Sequence, residues 1–197
     1  MLLWLLLSRL HLAKNPKNSI IKSNNVSEYQ TEQKNQVTCL VSMPKGSEDM
    51  YTAMNIASEV ILQYKQRGDG ISNLKLQKVL YYAQMESLQK NNRVLFDDDI
   101  EAWRHGPVVP SVYFSYRRFI SSKIDPEDRY VKDNATDLDM NSKRVIGDIV
   151  EKSFELGPWE MVEKTHKTIP WSKNYIAGAN TRIPIDEIKR EGTVNLP

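Results

Sequence analysis

Apolar positions recur with a helical period from Ala53 onward. Taking 100° per residue, Ala53, Ile56, Ala57, Val60, Ile61 and Tyr64 share one face. Thr52 stands where an N-cap belongs and Gly68-Asp69-Gly70 stops the pattern, so a one-sided helix is expected there. The next segment, about Ser72 to Lys90, is apolar on two faces. Leu76, Val79, Leu80 and Ala83 lie on one, and Leu74, Tyr81, Met85 and Leu88 on the other, with Lys75 and Glu86, and Gln77 and Gln84, as polar edges. Such a helix is either buried at the centre of a core or uses its second face to dock a partner.

After Asn91-Asn92, the short apolar runs Val94-Leu95-Phe96 and Ile100 to Arg104 flank Asp97-Asp98-Asp99, which predicts two strands around an acidic turn. Gly106-Pro107 breaks the chain, Pro110 extends Val109 and suits the first turn of a helix, and that helix is expected to bury Val112, Tyr113, Tyr116 and Phe119. Ser121 to Asp139 reads as a polar surface excursion with a turn at Asp125-Pro126. Val145, Ile146, Ile149 and Val150 mark a further helix ended by Gly157-Pro158, and a short one runs from Trp159 to Thr165. Beyond Pro170-Trp171 the pattern is irregular until Pro184 and Asp186 start a last helical turn through Ile188. Strands do not alternate with long helices and no repeat is evident, so the expected fold is mainly α: a compact multi-helix domain with one small antiparallel β-hairpin.

The segment before this pattern is different in kind. Met1 to Leu7 is a short apolar run, well below the roughly 20 residues a membrane helix needs. Arg9, Lys14, Lys17 and Lys22 follow the run instead of preceding it, which is the wrong order for an export signal. Residues 15–49 are rich in Asn, Gln, Ser and Lys without a period, so residues 1–49 are expected to be a flexible, dispensable extension, with Met43 or Met50 as alternative starts. The domain proper is placed at 50–191, with 192–197 as a tail. The single cysteine, Cys39, lies in the extension and rules out an internal disulfide or a multi-thiolate zinc site. Of the 27 Lys+Arg and 25 Asp+Glu, residues 1–49 hold six and four, which leaves the remainder neutral. A neutral body argues against gripping a phosphate backbone, and a cytoplasmic location with no membrane contact is expected.

Strong catalytic motifs are absent: there is no Walker loop, Gly-x-Ser-x-Gly elbow, His-Glu-x-x-His pair or Gly-x-Gly-x-x-Gly turn. No catalytic residue, cofactor or metal is assigned. The strongest enzymatic alternative is a metal-dependent hydrolase built on Asp97, Asp99, Glu101 and His105, since hard cations take oxygen ligands. His166, beside Trp171, is read as a half-buried imidazole bonded to the backbone in preference to a general base. Of the aromatic residues Tyr81, Tyr82, Trp103, Tyr113, Tyr116, Trp159 and Trp171, most should fill the core. Trp103-Arg104-His105 precedes a rigid Gly-Pro turn, and Trp, Tyr and Arg anchor protein interfaces, so Trp103, Arg104, His105 and Tyr113 are the candidate partner-binding residues.

Three segments, Leu74 to Gln84, Glu101 to Tyr113, and Thr165-His166 with Pro170-Trp171, together resemble the Panacea domain of SocA-like antitoxins. The resemblance covers about residues 50–191. It implies a mostly helical, non-enzymatic, bacterial or phage-borne protein that neutralises a cognate toxin encoded by an adjacent gene through direct protein contact. A related alternative is an adaptor that delivers the toxin to an ATP-dependent protease. Met85-Glu86-Ser87 and His105 depart from the family pattern. No helix-turn-helix precedes the domain, so self-repression is not expected.

Overall fold

The computed structural model describes residues 50–192 and 194–197. The expectations for residues 1–49, including the extension's flexibility and Cys39, lie outside the described residues.

Helix α1 spans Ala53–Gln66, started by a reciprocal capping box in which the Thr52 side chain accepts from the Asn55 amide and the Asn55 side chain accepts from the Thr52 amide. Its apolar face, Ala53 to Tyr64, is buried as the periodicity requires. Helix α2 spans Asn73–Lys90, and every residue from Lys75 to Leu88 is buried. Around it stand α1, the hairpin strand β2 (Gly106–Val108), α3 (Pro110–Tyr116), α5 (Met140–Ser153), α6 (Pro158–His166) and α8 (Ile185–Arg190). Both apolar faces of α2 are thus covered by the chain itself, and the alternative of a free second face is corrected: only its first two turns border an open groove.

The hairpin is displaced from its expected place. Strand β1 is Glu101–Trp103, paired antiparallel with β2 in the register Glu101↔Val108, Ala102↔Pro107, Trp103↔Gly106, and a short β3 (Thr181–Arg182) joins its other edge. Val94 to Phe96 is not a strand. Its backbone groups are taken by one side chain of α2: Gln84 Oε1 accepts from the Leu95 and Phe96 amides at 2.8 and 3.3 Å, and Gln84 Nε2 donates to the Phe96 carbonyl at 3.0 Å. With those groups satisfied, the segment has no need of a strand partner. Gly106-Pro107, read as a chain break, is itself the outer strand, where a proline is tolerated because its missing N–H faces away from the ladder.

Two further expectations change. In α3, Val112 and Tyr116 are buried, while Tyr113 is half-buried, and Phe119 is half-buried in the short 3-10 turn Arg117–Phe119 that follows. The polar stretch after it holds α4 (Arg129–Asn134), pinned by the buried Ile124, Val131 and Leu138. Widely spaced apolar anchors carry no helical period, which is why they read as surface. Helix α7 (Ile169–Asn174) carries Pro170-Trp171 and continues past them, and β3 follows, where irregular chain was expected beyond Trp171. Near the end of the chain, Val194 is buried and Leu196 packs against the core.

Candidate functional site

The β1–β2 hairpin turns through Arg104-His105 and is clamped from both sides. Gly106 has φ +94°, and a Cβ there would lie 2.6 Å from Thr165 Oγ1 and 2.8 Å from Lys78 Cε, so only glycine lets the turn close onto α2 and α6. From α2, Lys78 Nζ donates to the Pro107 carbonyl at 2.8 Å and Gln77 Oε1 accepts from the Val109 amide at 2.9 Å. Gln77 also donates to Asn73 Oδ1 (2.9 Å), and Asn73 donates to the Tyr113 carbonyl (3.1 Å), which holds the start of α3. From the opposite side, Trp171 Nε1 donates to the Trp103 carbonyl at 3.0 Å, and its ring stacks on His166 at 3.9 Å. His166 in turn bonds the Arg104 main chain. The three segments that carry the family resemblance meet at this hairpin.

A groove of about 630 Å³ runs beside it, and Trp103, Arg104, His105 and Tyr113 all line it. Trp103 and Tyr113 meet edge to face at 4.9 Å, and the indole N–H donates to Glu101 Oε2 at 2.7 Å, which fixes the ring. His105 meets Trp159 of α6 edge-on at 5.2 Å. Leu74, Val108 and Ile120 add aliphatic surface. The groove is flanked by apolar side chains that the fold leaves in solvent: Trp159 is 60% exposed, Ile120 81% and Phe114 53%. Ile120 sits at φ 52°, ψ −109°, and the Ser122 amide donates to the Phe119 carbonyl at 2.8 Å. This is a type II′ turn with a β-branched residue where glycine is preferred, a strained arrangement of order 1–3 kcal/mol.

Under the groove, Lys78 is wholly buried, and its single hydrogen bond goes to a neutral carbonyl. Desolvation pushes its pKa down to about 7. His166 is also held below the usual imidazole range, first by burial and then by the neighbouring Lys78. Its Nε2 is buried without a partner, so one ring nitrogen is satisfied by backbone and the other is not.

The acidic residues are not brought together with His105. Asp97, Asp98 and Asp99 border a separate cavity of about 80 Å³. Asp98 accepts from the Ala53 amide (2.7 Å) and from Ser111 Oγ (2.6 Å), tying α1 to α3; Asp99 pairs with Arg182 at 2.8 Å, and Glu101 holds the Trp103 indole. Among the described residues, no group of three or more His, Cys, Asp or Glu side chains could hold a metal ion. The hydrolase reading on Asp97, Asp99, Glu101 and His105 is therefore corrected: Asp99 is spent on Arg182 and Glu101 on the Trp103 indole, while His105 packs against Trp159. The sequence reading placed Trp159 among core aromatics and did not single out Lys78, Arg117 or Ile120 for this site. For Lys78 a signal was present: at helical spacing it falls between Leu74 and Tyr81 on the second apolar face of α2.

No described helix is long and apolar enough to cross a membrane. Residues 76–172 match the family described as antitoxin SocA-like, Panacea domain. The chain is also similar to "Antitoxin SocA" of Caulobacter vibrioides (strain NA1000 / CB15N), 51% identical over 43 residues, which is 22% of this chain and 23% of that relative. The chain thus matches less than a quarter of the length of this curated relative. No solved structure matches. Residues 76–172, just under half of the chain, thus carry the match to the SocA-like Panacea domain family, and they build the hairpin, its clamps and most of the groove.

Proposed function

We propose that this protein is a cytoplasmic, non-enzymatic antitoxin that neutralises a toxin protein by binding it directly, with the groove beside the hairpin as the contact face. The observation that carries the reading is the convergence of Trp103, Arg104, His105 and Tyr113 on one concave aromatic surface inside the family-matched segment. Aromatic and Arg side chains in a pocket supply most of the free energy of a typical protein interface of about 1,600 Å². The clamps from Lys78, Gln77 and Trp171 keep the hairpin in its binding shape before the partner arrives, which lowers the ordering cost of association.

The test is coexpression with the product of the adjacent gene, read by rescue of poisoned cells and by co-purification. Trp159→Ala is the informative variant, because this ring is mostly exposed and its loss spares the core. It should weaken the complex by about 2 kcal/mol, roughly 30-fold, with an unchanged melting curve. Trp103→Ala should weaken it as much, with some loss of stability. Unchanged affinity in both variants removes the groove as the contact face, and failure to rescue removes the antitoxin reading. Faster disappearance of the toxin in cells containing this protein would point instead to delivery to an ATP-dependent protease.

A further inference from the structure

We infer that the groove takes a partner-protein segment carrying an Asp or Glu side chain next to an aromatic or branched aliphatic one, the carboxylate meeting the Arg104 and Arg117 guanidinium groups. This deepens the antitoxin reading and rests on it. The groove's charge is one-sided: Arg104 and Arg117 line it, and no Asp or Glu does. The described part of the chain carries 21 cationic and 21 acidic residues, so the imbalance is local. Four other arginines of the fold are neutralised within it, Arg93 by Asp139, Arg118 by Asp128, Arg182 by Asp99 and Arg190 by Asp186, and Arg67, Arg129 and Arg144 do not line the groove. Arg104 and Arg117 are exposed, and neither forms an ion pair among the described residues. The Arg117 guanidinium lies 5.3 Å from the centre of the Phe114 ring, an arrangement that leaves its N–H edge available to a carboxylate.

The remaining polar groups at the groove are already committed. Gln77 and Asn73 spend their amides on each other and on the backbone, and Lys78 is walled off beneath the surface. Recognition of charge therefore falls to the two guanidinium groups, and recognition of shape to Trp159, Ile120 and the Trp103–Tyr113 pair. A single-stranded nucleic acid would need free aromatic faces on which bases stack. Here the rings are paired edge to face, at 62° for Trp103 and Tyr113 and 89° for His105 and Trp159, and Leu74, Val108 and Ile120 share the lining with them. A peptide side chain suits such a surface better than a base.

The full-length protein is immobilised and panned at low salt, about 50 mM, with phage-displayed random peptides. Recovered peptides should carry Asp or Glu beside Phe, Trp, Leu or Ile. Replacing that acid by its amide in a synthetic copy should weaken binding about tenfold, and the difference should fade near 0.5 M salt. The double variant Arg104→Glu, Arg117→Glu changes only exposed side chains and should keep its melting curve, yet should select Lys- or Arg-bearing peptides. The inference is overturned by recovered peptides without acids, by the same peptides from both proteins, by no enrichment at all, by a preference for a free carboxy-terminus over a side-chain acid, or by binding of an oligodeoxythymidine in their place. If the adjacent gene product binds in a Trp159-dependent way but ignores the charge reversal, this inference falls and the antitoxin reading stands. If the peptides behave as expected and no toxin is neutralised, the antitoxin reading falls alone.

Discussion

Replacing Lys78 by Met keeps the length and apolar bulk of the side chain and removes only its ammonium group, which isolates the cost of burying that charge. In the unfolded chain a lysine titrates near 10.5, whereas burial brings Lys78 down to about 7 in the fold. Between these values the unfolded state holds a proton that the folded state has released. Stability therefore rises with pH across this window and falls as pH drops toward 7; below 7 both states are protonated and the dependence ends. For this single group the gain between about pH 7 and pH 9 is about 2 kcal/mol. Lys78→Met lacks it. The difference in unfolding free energy, wild type minus variant, should climb by that amount over the interval in urea melts taken at stepped pH. The variant also leaves the Pro107 carbonyl without its donor, a loss of about 1–3 kcal/mol that shifts the curve without tilting it, so the slope and not the offset carries the test. A difference that stays flat from pH 6 to about pH 9 would show that Lys78 keeps an ordinary pKa in the fold, and the account of the groove floor would be wrong.

Gln84→Leu should cost about 3 kcal/mol in chemical denaturation, because it strands the Leu95 and Phe96 amides and the Phe96 carbonyl, while removal of an exposed side chain such as Lys65 should cost almost nothing. Ile120→Gly should raise stability by about 1 kcal/mol, read as a higher Tm, since glycine accepts the positive φ that isoleucine resists, and it should weaken partner binding because it deletes an exposed apolar wall of the groove.

Gln77 and Gln84 show how tertiary context reassigns residues whose sequence pattern is plain. Seven residues apart, they read as a polar edge of α2. In the fold each serves as a side-chain substitute for a β-partner, Gln84 for residues 95–96 and Gln77 for Val109. Neither role has a period or a spacing of its own, since it depends on a segment returning from elsewhere in the chain. The displaced hairpin follows from the same cause. Val94 to Phe96 has strand-like composition, but its hydrogen bonds are already made, and pairing passes to residues 101–108. The acidic run looked like chemistry because three aspartates stood together. Their directions diverge, one toward the start of α1, one toward Arg182 and one along the edge of a small cavity.

What the chain's own pattern determined was local and periodic: α1, α2, α5 and α6, the proline start of α3, the mainly helical class, and the aromatic and Arg residues Trp103, Arg104, His105 and Tyr113 around one turn. These are legible because a helix must bury one stripe, or two, and because proline and glycine restrict the backbone wherever they stand. What only the tertiary structure decided was which faces remained open and which charges remained unspent. Lys78 lost its solvent, the aspartates lost their freedom, and Trp159 and Ile120 stayed exposed beside the hairpin. Burial and pairing are properties of distant segments packed together, and no residue carries them alone.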